Sequence, residues 1–322
     1  MKGYQFEDTQ GTFHLKKAEN ISYLYFPIAG EAGLKSSLTP NLGGDAKIDQ
    51  NTFLLEPVSA ENLVNNRNSR NFWCNVKGIG SWSLTGNAAE ALSKKFTEMQ
   101  DDSEVTAGFM WQKTTRESKK YQLRGEILSF IPVEKNVEVM LVTITNTGRM
   151  AQTVTPTAAI PLYGRSADNI RDHRHVTSLL HRIETTDTGV LVTPTLSFDE
   201  RGHQVNHMTY YCVGWSGNGE KPVDFYPTAE DFVGEGGNFE RPYAIVKKAE
   251  GVKAGTRIEG LEAVGGLHFS EVTLEPEEEC SYLIFTGITE DIQEIRNLSK
   301  TYTTREMVLE ELEKTKAYWQ EK

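Results

Sequence analysis

The sequence predicts an all-β protein, a large antiparallel β-sandwich followed by C-terminal helices, and three observations carry that expectation. The run Val137-Glu-Val-Met-Leu-Val-Thr-Ile-Thr145 is rich in β-branched residues and apolar on much of both faces, which suits a strand inside stacked layers rather than a one-sided sheet. Short apolar stretches recur along the chain, punctuated by Asn41-Leu-Gly-Gly44, Asp187-Thr-Gly189 and Gly217-Asn-Gly219, the rhythm of a sandwich with loops at both ends. Only near the C-terminus does the period change from two to that of a helix.

In chain order, strands are expected at Ser22–Phe26, Thr52–Pro57, Phe72–Val76, Glu104–Lys113 and Tyr121–Ile131, each an apolar stretch short enough for a strand. Val137–Thr145 follows and ends at Asn146-Thr-Gly148, a strong turn signal, with Gln152–Ile160 next, a spacing that predicts a hairpin. Gly189–Thr195, Thr209–Trp215, Ala263–Leu274 and Cys280–Thr286 complete the expected strands. In the tail, Ile292, Ile295 and Leu298 fall on one helical face. Thr303-Thr-Arg-Glu306 has the capping-box pattern, and the helix it opens places Val308, Leu312 and Trp319 on one stripe. The expected division is therefore a β-sandwich over residues 1–288 and a helical segment over 289–322.

Composition narrows the function classes. Of 322 residues, 25% are charged and 38% hydrophobic, as in soluble globular proteins. A net charge of -11 argues against nucleic acid or an anionic membrane as partner, since either needs a basic surface. Three scattered cysteines, Cys74, Cys212 and Cys280, without C-x-x-C spacing, are expected to be reduced, buried thiols of a cytoplasmic protein. The first residues show no apolar signal-peptide core, so the sequons at Asn20 and Asn297 are taken as chance matches.

One run stands apart. Asn169-Ile-Arg-Asp-His-Arg-His-Val-Thr-Ser-Leu-Leu-His-Arg-Ile-Glu184 sets three arginines, three histidines and an aspartate around Val176, Leu179, Leu180 and Ile183. Read as extended chain, it puts His173 and His175 on one face and Asp172 and Arg174 on the other. Guanidinium groups fork onto carboxylate, phosphate or vicinal hydroxyls. Arg171, Asp172, His173, Arg174 and His175 are therefore candidates for a substrate rim, with a structural alternative in which Asp172 pairs with Arg171 or Arg174 at a domain interface.

This run resembles the N-terminal domain of the glycoside phosphorylases of glycoside hydrolase family 94, formerly glycosyltransferase family 36. Asn71-Phe-Trp-Cys-Asn-Val-Lys-Gly-Ile-Gly-Ser-Trp-Ser-Leu-Thr-Gly86, Ser129-Phe-Ile-Pro-Val-Glu-Lys-Asn-Val-Glu-Val-Met140 and Asp231-Phe-Val-Gly-Glu-Gly-Gly237 are similar to further signatures of that domain. Within the family the wording most resembles the 1,2-β-oligoglucan phosphorylases. The resemblance implies a super-sandwich whose helices lead into a catalytic (α/α)6 barrel, with the general acid and the phosphate site on the barrel. No catalytic residue is expected among these 322. It further implies a β-gluco-oligosaccharide substrate, phosphate as co-substrate of the whole enzyme, no cofactor, and a homodimer.

Other candidates are weaker. Trp73, Trp82, Trp111 and Trp215 could offer sugar platforms, Trp73 and Trp82 foremost, but strand contexts favour packing for all four. His203 and His207 have zinc-helix spacing without the H-E-x-x-H glutamate, so a metal site is not expected. Gly234-Glu-Gly-Gly237 departs from G-x-G-x-x-G and is expected to be a surface turn. Asp224, Glu230, Asp231 and Glu235 crowd one region, as the paired carboxylates of a glycosidase would, and chance explains this in a chain with 45 acidic residues. A free-standing carbohydrate-binding sandwich is the alternative reading.

Overall fold

The computed structural model describes residues 4–21, 24–59, 65–199 and 202–322. Its centre is Val137–Asn146, buried at every position. Strand alternation sends Val137, Val139 and Leu141 to one apolar cluster and Met140, Val142 and Ile144 to another. Around it lies an eleven-stranded antiparallel sheet, ordered Tyr4–Phe6, Phe13–Lys16, Asp102–Gly108, Trp111–Ser118, Leu123–Phe130, Val137–Asn146, Glu279–Thr289, Thr209–Ser216, Gly189–Val192, Arg182–Thr185 and Arg257–Glu259.

Two smaller sheets cover one face. The first orders Asp224–Thr228, Ala263–His268, Gln152–Leu162, Asn71–Val76 and Gly80–Ser83, with Val272–Leu274 beside Gln152–Leu162. The second is a four-stranded meander, Phe26–Ala29, Lys35–Leu38, Ala46–Asp49 and Thr52–Leu55. Between the layers, Met140, Val142, Ile144 and Ile284 share a core with Phe72, Cys74, Val154, Ile160, Leu38 and Leu54. The centre of the opposite face of the large sheet is covered by helices Ile292–Thr301 and Arg305–Glu321. There Ile295, Leu298, Val308 and Leu312 pack with Val139, Leu141, Val213 and Phe285. Each such side chain contributes about 1.5–3 kcal/mol by leaving water, so the helices are part of the fold's stability. Among the described residues, no helix is long and apolar enough to cross a membrane.

A buried ion pair ties the layers together. Arg70, 1% exposed, donates from Nε to Glu138 Oε1 (2.5 Å) and from Nη2 to Oε2 (2.9 Å). Ser36 Oγ donates to the same carboxylate at 2.6 Å, and Arg70 Nη1 donates to Gly44 O at 2.7 Å. Gly44 has φ 118°, and a Cβ there would stand 2.0 Å from Ser37 O, so the turn that presents its carbonyl requires glycine.

The expected strands differ from the observed ones in particular places. Val137–Asn146 and Gln152–Leu162 are not a hairpin: the first pairs with Leu123–Phe130 and Glu279–Thr289, the second with Asn71–Val76 and Ala263–His268. The chain crosses between sheets at the turn, where Asn146 Nδ2 donates to Met150 O and Leu274 O. Glu104–Lys113 is instead two strands joined by a tight turn, with Gly108 paired to Trp111 and Met110 at φ 61°. Ala263–Leu274 likewise divides into Ala263–His268 and Val272–Leu274, both pairing with Gln152–Leu162. Ser22 lies outside the described residues, and the strand expected there runs Phe26–Ala29. In the tail, Ile292 is 41% exposed, and the last helix takes Thr304 as its N-cap rather than Thr303.

Candidate functional site: the crevice beneath the basic run

The basic run is not extended. Ala167–Arg171 is a 3-10 turn, and Arg174–Ser178 is one short helix with His173 as its N-cap. Helical geometry splits the run into an inward and an outward set, where strand alternation would have produced two flat faces. Asp172 Oδ2 accepts from Asn169 Nδ2 at 2.8 Å, so the carboxylate holds the turn in place of the pairing expected with Arg171 or Arg174. Ile183 is buried, but Val176 and Leu179 are 62% and 61% exposed and form no core.

Arg174 points inward. Its Nη2 donates to Glu56 Oε2, and its Nη1 to Glu262 Oε1 at 3.0 Å. Glu262 also accepts from Arg67 Nη1 at 2.9 Å, and Arg165 Nη1 lies 4.0 Å away. Burial works against the Glu262 carboxylate, yet Arg174 and Arg67 outweigh it and hold the group below its ordinary range. These residues line a small crevice with Tyr163, Phe239 and Ala263. Behind it, burial and the Arg165 charge push His181 down to about 3, so its ring is neutral at physiological pH. Arg171, Asp172, His173 and His175 face outward and are exposed, the two imidazoles 5.4 Å apart between centroids.

The tryptophans are elsewhere and enclosed. Trp73, 2% exposed, sits in the outer core with Phe232 and Val264. Trp82, also 2% exposed, stacks on Tyr121 and donates from Nε1 to Asp101 Oδ2 at 2.8 Å. A sugar platform needs an open ring face, and neither residue has one. Trp215 stacks on Phe285 and donates to Tyr302 O, while the Lys316 ammonium lies over Trp111.

The acidic group is likewise distributed among local roles. Asp224 is buried and pairs with His268 at 2.7 Å, and Asp231 Oδ2 accepts from Thr228 Oγ1 at the start of helix Ala229–Val233. Gly234 ends that helix at φ 75°. His203 and His207 are both exposed, His203 in strand Gly202–Val205. Among the described residues, no group of three or more His, Cys, Asp or Glu is disposed to hold a metal ion. Sequence reasoning missed Arg67, Arg165, Glu56 and Glu262, which reach Arg174 only through tertiary folding.

The family described as glycosyl hydrolase 94, supersandwich domain, matches residues 56–305. The chain belongs to this family. No curated protein matches it. Among solved structures, the supersandwich chain is similar to a putative kojibiose phosphorylase from human microbiome, at 8% identity and TM-score 0.47, covering 99% of this chain and 39% of that one. It is similar also to a bacterial glucoamylase complexed with acarbose, at 10% identity and TM-score 0.42, covering 99% and 38%. A putative aldose 1-epimerase of Escherichia coli K12 follows at 10% identity and TM-score 0.43, covering 83% and 99%. The supersandwich chain thus spans about two fifths of the length of the phosphorylase and the glucoamylase.

Proposed function

We propose that this chain is the non-catalytic supersandwich module of an inverting β-glucoside phosphorylase, of 1,2-β-oligoglucan type. The whole enzyme would cleave the glucosidic bond with phosphate, releasing α-glucose 1-phosphate and a chain shortened by one glucose. A general acid protonates the departing glycosidic oxygen while a phosphate oxygen attacks the anomeric carbon from the opposite face, inverting it. Both groups would belong to an (α/α)6 domain, with the module as buttress, rim of the substrate cleft and homodimer contact. The family match over residues 56–305 carries this reading.

The split of the basic run supports the rim assignment. Arg174 is anchored to Glu56 and Glu262, which fixes the short helix. Arg171, His173 and His175 then stand outward as hydrogen-bond donors beside the exposed Val176 and Leu179, suited to sugar hydroxyls and to an apolar neighbour.

The purified chain, incubated with β-1,2-gluco-oligosaccharide and phosphate, is expected to release no glucose 1-phosphate. Turnover by the chain alone sinks the assignment. In the same preparation, β-1,2- or β-1,4-gluco-oligosaccharides at millimolar concentration should leave tryptophan emission unchanged, because Trp73, Trp82 and Trp215 are enclosed. A saturable change would favour a carbohydrate-binding module instead.

A further inference from the structure

We propose that the crevice between Tyr163, Arg165 and Arg174 is a binding site for one small monovalent anion of halide or carboxylate chemistry. Among the described residues, the charged side chains that line it do not balance, and Asp172 lies outside the lining though near enough to act on Tyr163. Arg67, Arg165 and Arg174 face Glu56 and Glu262, three cations to two anions among the described residues, leaving one positive charge. His181 does not change this count, since it stays neutral down to about pH 3.

The hydrogen bonds locate the unmatched charge. Arg174 and Arg67 donate to the two carboxylates. Arg165 is 6% exposed, yet among the described residues its guanidinium makes no hydrogen bond, and Glu262 Oε1 is 4.0 Å away. Its Nε is buried without a partner, as is the hydroxyl of Tyr163, a residue only 5% exposed. Both line the crevice, on either side of Gly164, whose φ of 60° turns the chain there. A guanidinium is purely a donor and a phenol donates readily, so the two together call for an acceptor. A water molecule would satisfy the hydrogen bonds but add no charge, and Arg165 has no carboxylate of its own, sharing Glu262 with Arg67 and Arg174, so an anion is favoured.

Size selects the occupant. The crevice holds about 20 Å³, room for one water-sized group. Phosphate, sulfate and a pyranose are too large to enter whole, whereas a halide ion or the flat end of a carboxylate, narrower than a tetrahedral head, fits. This site is separate from the exposed face of the basic run, and its test does not depend on phosphorylase activity.

The test is thermal unfolding of the whole chain at constant ionic strength, exchanging methanesulfonate, too bulky for the crevice, for chloride, bromide or acetate. The midpoint should rise by roughly 2–4 °C in halide, in acetate, or in both, and which of them acts names the source. Tyr163→Phe removes one donor without touching an existing bond and should weaken the effect several-fold; Arg165→Gln should abolish it. Should Arg165→Gln fail to fold, crystals of the unaltered chain grown in bromide decide the matter through an anomalous peak within hydrogen-bonding distance of Arg165. Equal midpoints in all four salts, an undiminished effect in Tyr163→Phe, or a crevice holding only water in bromide would overturn the proposal.

Discussion

Removing the carboxylate of Glu138 should destabilise the sandwich more than removing it together with its arginine. Glu138 and Arg70 are 3% and 1% exposed, joined by two hydrogen bonds of 2.5 and 2.9 Å. Glu138→Leu leaves a buried guanidinium without its counter-charge, an effect of about 3–5 kcal/mol. In the pair Arg70→Met with Glu138→Leu no charge remains. What is lost is then the partner of Ser36 Oγ and of Gly44 O, at about 1 kcal/mol each, and a long 3.4 Å bond to Asp45 O that adds little. The double variant should therefore lose about 2 kcal/mol and be more stable than Glu138→Leu alone. Urea unfolding reads this directly: the single substitution should lower the midpoint by roughly 1–2 M and the double by under about 1 M, with unchanged slope. If the double variant instead shows the sum of the two single effects, the side chains are not coupled and the reasoning fails.

Three further outcomes follow from named contacts. Burial opposes the Glu90 carboxylate, but Lys120, Lys94 and Tyr121 donate to it and hold it at about 2 against an ordinary 4.5. Its stabilising effect is thus present above pH 4.5 and fades as the pH falls toward 2, so the deficit of Glu90→Gln should shrink over that window; a constant deficit contradicts it. His181 stays neutral in the fold to about pH 3 but protonates near 6.5 when unfolded. Stability should therefore fall on acidification between those values by at most about 1.4 kcal/mol per pH unit from this group, and His181→Gln should flatten that slope. Arg174→Ala should lose about 1–3 kcal/mol through its bonds to Glu56 and Glu262, whereas Arg171→Ala should stay within about 0.5 kcal/mol; the reverse order in urea midpoints would refute the inward and outward division.

Legibility in the sequence tracked how local each determinant is. The two-faced apolarity of Val137–Asn146 foretold layers on both sides, because burial writes directly into residue type. The turn signals at Asn41, Asp187 and Gly217 fall at strand ends for the same reason. Asn146-Thr-Gly148 marks a real turn, but whether a turn returns to the same sheet or crosses to the next depends on remote partners such as Leu274. The turn at Phe109–Met110 was hidden, since its two central residues are neither glycine nor proline and Met110 adopts a positive φ that is uncommon for such a residue. At the candidate site, Arg174 was visible only as part of a basic run. Its carboxylate partners lie 118 and 88 residues away, and no local pattern encodes such a pairing.

The covering of both faces of the large sheet constrains where this molecule can meet anything else. The centre of one face is covered by the smaller sheets, that of the other by the C-terminal helices, and the outer core around Trp73 is closed by Phe232, Phe239 and Ile245. What remains exposed is loops, short helices, strand edges and the polar side chains of the outer strands such as Glu104, Glu117 and Arg257, of which loops are the usual carriers of recognition on a rigid scaffold. The two sheet edges, Tyr4–Phe6 and Arg257–Glu259, are three residues each, too short to template a long added strand. Of the loops, the Arg171–Leu179 turn combines an exposed arginine and two exposed imidazoles with exposed apolar groups and an internal ionic anchor. Arg174 is fixed by two carboxylates, and that anchor makes the outward residues a defined surface.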